Sequence, residues 1–362
     1  MRHVRRLSWR QPALALAGAA AALLTVELGL RLIYSDGDFR ARYAPADGPV
    51  TQTTHPFLPY TGKPGLRYTM APEVAGELQP VGVVHNAYGY RAHEFPADRS
   101  PEDLVVVALG GSTTRGYVAA SNAETWPGLL EGMLSERHPE RTVRVFNLGA
   151  DGGTTATSVV SFALVGTHLE PDLVVVYHGF NDYGPMTAVD FRTDHAHHFR
   201  DARPEHAPRG VRRRLPVWLL RSRAVAFSAT MVDRLTGIGD LQAIAEISAS
   251  GRVDDVGAAI EQRLLPNLRT IHSIAERQGA HVLFSTFQFF DGQTPDYRAL
   301  NDVLRSYFER SGLDWVDQDA LVADGDPALM VDECHFTRAG RELVARNFFE
   351  AIVSRGWFEE GG

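Results

Sequence analysis

Ser112 stands in Gly110-Gly111-Ser112-Thr113-Thr114-Arg115-Gly116, directly after the apolar run Leu104 to Leu109. A serine hydroxyl is a poor nucleophile until a base takes its proton. Val331-Asp332-Glu333-Cys334-His335 offers one, because Asp332 and His335 are three residues apart, just ahead of a helical pattern. That spacing lets one turn set the carboxylate against Nδ1–H while Nε2 points outward to an incoming hydroxyl. An oxyanion formed by such an attack needs hydrogen-bond donors, and two further strand ends supply them. In Phe146 to Thr154 (FNLGADGGT) the glycines let backbone N–H groups approach a ligand closely. In Val176 to Asp182 (VYHGFND), Asn181 brings an amide that donates without adding a titrating group. Each stretch read alone is a common turn rich in Gly and Asn, and a lone D-x-x-H is commoner still. Their occurrence in order, at the ends of successive strands, is what points to acyl chemistry.

The glycine block has two other readings. A phosphate-binding P-loop needs G-x-x-x-x-G-K-[ST], but Tyr117 stands where the lysine belongs. A nucleophile elbow needs G-x-S-x-G, and Thr114 occupies the place of the second glycine. What remains is a serine delivered just past the carboxyl end of a central strand, where open α/β sheets hold their ligands. Thr113 and Thr114 read as cap or turn hydroxyls. Cys334 is the only cysteine. It excludes an intramolecular disulfide and argues against a cysteine zinc site, and it reads as a packed small side chain. No metal or cofactor is expected.

The elements that would position these residues alternate. Leu104 to Leu109, Thr142 to Asn147, Leu173 to Tyr177, His281 to Thr286 and Asp314 to Val316 read as strands. Ser121 to Arg137, Thr154 to Leu169, Val256 to Gln278 and Tyr297 to Arg310 read as helices. Thr337 caps a last helix that Gly356 stops after Arg355. Alternation of this kind implies a parallel sheet with helices on both faces. Residues 35–81 read as an extended linker, and 82–362 as one domain with an insert at about 187–255. The insert holds His195, His197, His198, His206 and an arginine cluster from Arg209 to Arg223. It reads as a solvated basic stretch, with Val217 to Phe227 as an amphipathic helix.

The chain has 362 residues, 44% hydrophobic and 22% charged, with a formal charge of −8, which gives no electrostatic footprint for nucleic acid. Lys63 is the only lysine, a bias toward arginine that fits a GC-rich bacterial genome. Arg2, Arg5, Arg6 and Arg10 precede an apolar run that continues to Tyr34, broken only by Glu27 and Arg31. Its length from Pro12, 23 residues, fits a transmembrane helix with the N-terminus inside and the rest translocated. A cleavable signal peptide is the rival, with small-residue sites at Ala17 to Ala19 or Ala20 to Ala22.

The ordered set Ser112, Gly152, Asn181 and Asp332/His335 resembles the SGNH (GDSL-type) hydrolase family, over roughly Asn86 to the C-terminus. The N-x-x-G-[FY]-R stretch Asn86 to Arg91, behind an N-terminal apolar segment, resembles a bacterial membrane-anchored branch of it. The block Gly111-Ser112-Thr113 departs from Gly-Asp-Ser-Leu. The resemblance implies a three-layer α/β/α fold around a parallel five-stranded, flavodoxin-like sheet. It further implies Ser112 as nucleophile, His335 as base, Asp332 as its orienter, and an oxyanion hole from Ser112, Gly152 and Asn181. The function expected is hydrolysis of carboxylic esters, of lipid, glycan or small molecule, outside the cytoplasmic membrane. Two alternatives stand beside it: O-acyl transfer to an envelope polysaccharide, and a catalytically silent envelope-binding protein.

Overall fold

The run Leu104 to Leu109 forms the middle of β1 (Asp103–Gly110), a strand buried at all eight positions. It pairs with β2 (Thr142–Asn147) on one side and β3 (Leu173–Tyr177) on the other, followed outward by β4 (His281–Ser285) and β5 (Trp315–Val316). All four pairings are parallel, in the order β5-β4-β3-β1-β2. Strands covered on both faces have no solvent side, so their sequences are unbroken apolar runs rather than alternating ones. The computed structural model describes residues 10–35, 51–195, 219, 222–236, 251–289, 296–322, 326 and 328–359, apart from 54, 60, 71, 75, 76 and 97.

Chain order and sheet order together place the functional end. The step from β1 to β2 runs one way across the sheet, and the step from β2 to β3 jumps back over β1. Right-handed crossovers then put α1 (Trp126–Arg137) on one face, and α2 (Thr155–Leu164), α4 (Val256–Arg263), α5 (Leu265–Arg277) and α6 (Asp296–Ser311) on the other. The final helix α7 (Arg338–Arg355) packs on α1, with the rings of Trp126 and Phe348 4.9 Å apart. The carboxyl end of β1 is therefore the point where the winding reverses, the crevice in which α/β sheets bind ligands. Ser112 is two residues beyond it.

Helix ends follow local chemistry. The helix expected from Ser121 starts at Trp126, because Pro127 fits only a first turn and Thr125 Oγ1 accepts from Gly128 N–H at 3.2 Å. The helix expected over Val256 to Gln278 breaks at Leu264, ahead of Pro266. One helix was not foreseen: α3 (Phe180–Thr187), which carries Asn181 in its first turn.

The chain divides into two units, residues 50–203 with 246–362, and residues 1–49 with 204–245. The first begins well before the boundary expected near Gly82. Residues 52–84 form three antiparallel pairs: Gln52–Thr53 with Thr61–Gly62, Arg67–Met70 with Val81–Val84, and Glu73–Val74 with Glu77–Leu78. Val81 and Val83 are buried, and Gly82 N–H donates to Ala120 O at 2.8 Å, so this stretch is built into the unit rather than linking to it.

In the second unit the N-terminal apolar run forms a helix, Arg10–Ile33, beside a second helix, Arg223–Thr236, from within the expected insert. Among the described residues no helix is long and apolar enough to cross a membrane, which corrects the expected transmembrane segment. The helix is interrupted by Glu27 and Arg31, whose use is local. Glu27 accepts from Arg31 Nε, Ser222 Oγ and Ala224 N–H at 2.8 to 2.9 Å, capping the second helix. Arg223 in turn donates to the carbonyls of Leu30 and Tyr34 at the end of the first.

The Asn86 to Arg91 motif is a clamp. Asn86 Oδ1 accepts from the N–H groups of Tyr88 and Tyr90, closing the turn in which Gly89 takes φ +87°. The turn sends Arg91 into the interior, 1% exposed, where it donates to the carbonyls of Gly82, Gly116 and Ala119 and to Asn122 Oδ1. Burial pulls the guanidinium down to about 10, and it has no carboxylate partner among the described residues. Arg91→Met is expected to leave these acceptors unpaired in the core and to cost on the order of 3 kcal/mol or more in stability. Urea midpoints of wild type and variant measure it; a change under ~1 kcal/mol would contradict the clamp.

Candidate active site

Four segments converge at the carboxyl end of β1. Gly110 and Gly111 leave the strand, and Ser112 opens the short helical turn Ser112–Arg115. Small residues are required here. A Cβ on Gly110 would come within 2.0 Å of Thr114 Oγ1, and one on Gly111 within 2.4 Å of Asn181 Nδ2. From the second segment, Gly153 N–H closes a turn on Ala150 O at 3.0 Å, and Gly152 takes φ +61°, a backbone conformation that favours glycine. From the third, Asn181 Nδ2 donates to Gly153 O at 3.1 Å, which leaves its second amide hydrogen uncommitted among the described residues. The backbone N–H groups of Ser112 and Gly152 likewise have no acceptor among the described residues.

The last segment brings His335 and Asp332. His335 Nε2 is 2.8 Å from Ser112 Oγ, and His335 Nδ1 is 2.7 Å and 3.0 Å from the two oxygens of Asp332. Asp332 Oδ1 also accepts from the N–H groups of Cys334 and His335, at 3.0 and 2.8 Å, so the turn itself orients the carboxylate. The turn is tied to the Ser112 segment by Thr113 Oγ1, which donates to Cys334 O at 2.9 Å. Ser112, Gly152 and Asn181 thus follow the ends of β1, β2 and β3, and the Asp332–His335 turn ahead of α7 closes on Ser112.

Partial burial raises the Asp332 carboxyl. The hydrogen bond from the His335 ring, those from the two backbone N–H groups and the neighbouring imidazole charge outweigh this and hold it at about 2, below the usual carboxylate range. A carboxyl depressed in the folded state stabilises the fold above its unfolded value, near pH 4, and that contribution fades as pH falls toward 2. The stability gap between wild type and Asp332→Asn, read from denaturant midpoints, is therefore expected to narrow between pH 5 and pH 2.5. A gap independent of pH would contradict the assignment.

Among the described residues, one group has ligand atoms close enough to hold a metal ion: Asp332, Cys334 and His335, all within 4.8 Å. Burial first, then the charges of Asp332 and Glu333, push the Cys334 thiol strongly up, so it stays protonated. With Asp332 and His335 closed on each other, the set suits packing beside a proton-transfer pair better than ligation.

Several residues at the site were not foreseen. Arg115, buried in the turn that Ser112 opens, donates to Asp151 Oδ1 at 3.2 Å and Tyr68 Oη at 2.7 Å and lies 3.1 Å from His85 Nε2. It thereby ties the serine segment to the residue before Gly152. A second serine-histidine-aspartate set sits in the interior: Ser158 Oγ is 2.7 Å from His178 Nε2, and His178 Nδ1 is 3.3 Å from Asp182. All three are buried, out of reach of any substrate. Asp182 accepts from Thr155 N–H and Oγ1 at 2.8 and 2.6 Å, bracing the starts of α2 and α3, and with them Gly153 and Asn181. Of the expected insert histidines, His195 is buried beside Phe191, with ring centroids 5.8 Å apart. His197, His198, His206 and the arginines from 209 to 221 lie outside the described residues.

A sequence profile described as "GDSL-like Lipase/Acylhydrolase family" matches residues 108–343. No curated protein matches the sequence. The chain is similar to several solved structures. One is an alpha/beta hydrolase enzyme from the metagenome of Lake Arreo, Spain, at 18% identity, covering 68% of this chain and 94% of that one with a TM-score of 0.42. Another is the lipase/acylhydrolase from Enterococcus faecalis, at 16% identity, 70% and 96% coverage and a TM-score of 0.43. A third is a variant of an acetyl-xylooligosaccharide esterase from Geobacillus Stearmophilus, at 18% identity, 70% and 94% coverage and a TM-score of 0.41.

Proposed function

Because the chain belongs to the GDSL-like lipase/acylhydrolase family and is an esterase-type hydrolase, we propose that it cleaves carboxylic esters through an acyl-enzyme on Ser112. The observation that carries this reading is the line of contacts from Ser112 Oγ to His335 Nε2 at 2.8 Å and from Nδ1 to Asp332 at 2.7 Å, at the sheet's switch point. His335 takes the Ser112 proton as Oγ attacks the ester carbonyl, and Asp332 stabilises the imidazolium. The tetrahedral oxyanion is met by the N–H groups of Ser112 and Gly152 and the free amide hydrogen of Asn181. As the carbonyl reforms, the C–O bond to the alcohol breaks and Nε2–H protonates the leaving oxygen. Water, deprotonated by the same nitrogen, then attacks the acyl carbon and releases the acid and Ser112.

Action outside the cytoplasmic membrane is part of the reading. It is supported by Arg2, Arg5, Arg6 and Arg10 ahead of an apolar run, the pattern of an exported chain. Fractionation of cells carrying a C-terminal tag tests that part. The chemistry is tested by mixing the enzyme with p-nitrophenyl acetate, quenching in acid and mapping the adduct by mass spectrometry. One acetyl group on Ser112 is expected; an adduct elsewhere, or none during steady turnover, would refute the mechanism.

A further inference from the structure

Tyr117 is the residue that spoils the P-loop pattern, and the mechanism above leaves it without a role. Its position is tightly fixed. Its N–H donates to Ser112 O at 3.2 Å, and it follows Gly116, which turns the chain at φ +84°. The carbonyls on either side of it, those of Gly116 and Ala119, are both held by the buried guanidinium of Arg91. A Cβ on Gly116 would come within 2.4 Å of Thr125 Cγ2, so the turn packs against Thr125 and excludes a side chain at this position. The ring itself is 39% exposed and lies against the imidazole of His335, centroids 5.1 Å apart and planes 37° apart. The exposed ring thus stands beside the imidazole whose Nε2 must protonate the leaving group.

General acid catalysis requires the leaving oxygen within about 3 Å of His335 Nε2. The atoms bonded to that oxygen then lie next to the His335 ring and within reach of the Tyr117 face. Resting on the ester-hydrolase reading, we propose that Tyr117 lines the alcohol side of the site and selects esters whose alcohol is a ring with a flat C–H or π face, a pyranoside or a phenol. Such a ring seats on an aromatic face, which a short chain alcohol cannot do.

The test holds the acyl group constant. An acetylated methyl pyranoside, phenyl acetate and ethyl acetate are compared on wild type, Tyr117→Phe and Tyr117→Ala. With Tyr117→Ala, kcat/KM is expected to fall about 3- to 10-fold for the two ring esters and to stay within about 2-fold for ethyl acetate. Tyr117→Phe should restore the ring esters. Turnover of the acetyl-enzyme, identical from all three, should not change. A loss of equal size on all three esters, or none on either ring ester, overturns the inference; a loss on one ring ester alone narrows the class to a sugar or an aryl alcohol. Failure of the underlying reading looks different, since wild type would then form no acetyl-Ser112 from any ester.

Discussion

Ser112→Ala is expected to lower kcat for ester hydrolysis by about 10⁶, the scale on which a serine and its base fail as a unit. The fold should be untouched, because the Ser112 side chain carries none of the packing. Its Oγ bonds to His335, whereas the neighbouring Thr113 and Thr114 are buried and Thr113 holds the Cys334 carbonyl. Gly111 precedes the helical turn, and no side-chain cap is lost. His335→Ala should cost about as much, and the double variant little more, since each removal already disables the other partner. kcat on p-nitrophenyl acetate together with the thermal midpoint separates these outcomes. A Ser112→Ala enzyme that kept its midpoint and lost less than about tenfold in kcat would move the chemistry to another residue.

The central strands were readable to within about one residue because burial on both faces leaves only apolar side chains, as at Leu173 to Tyr177. Helix α3 was not, and the cause is local: Gly179, Gly184 and Pro185 break any helical pattern, and its first turn is closed by the N–H groups of Asp182 and Tyr183 on Gly179 O. The residues that meet at the candidate site were legible through the roles proposed for them. A serine needs a base and an oxyanion needs donors, so each residue type implied the next. Arg91 and Arg115 were not legible, because their partners at Gly116, Ala119, Asp151 and Tyr68 are brought to them only by the finished fold. Glu27 shows the same limit in reverse. It reads as a flaw in an apolar run, yet it caps the helix Arg223–Thr236, far along the chain.

Asn181→Ala is expected to lower kcat by about 10² to 10³ with KM within about twofold, the signature of a donor that meets charge only as it develops. Two effects could contribute, because the Asn181 amide also holds Gly153 O at 3.1 Å, and removing it frees the turn that presents Gly152. Asn181→Asp is expected to be at least as damaging as alanine on both counts, since it keeps the size of the side chain but donates nothing and sets a carboxylate against the oxyanion and against Gly153 O. Gly111→Ala approaches the same group from the other side, since its Cβ would come within 2.4 Å of Asn181 Nδ2 and must displace the amide with Asn181 itself intact. If that variant loses kcat in the same range while Gly111→Ala/Asn181→Ala loses little more than Asn181→Ala alone, the two substitutions act on one amide hydrogen. Additive losses would mean that Gly111→Ala acts through something other than the Asn181 amide.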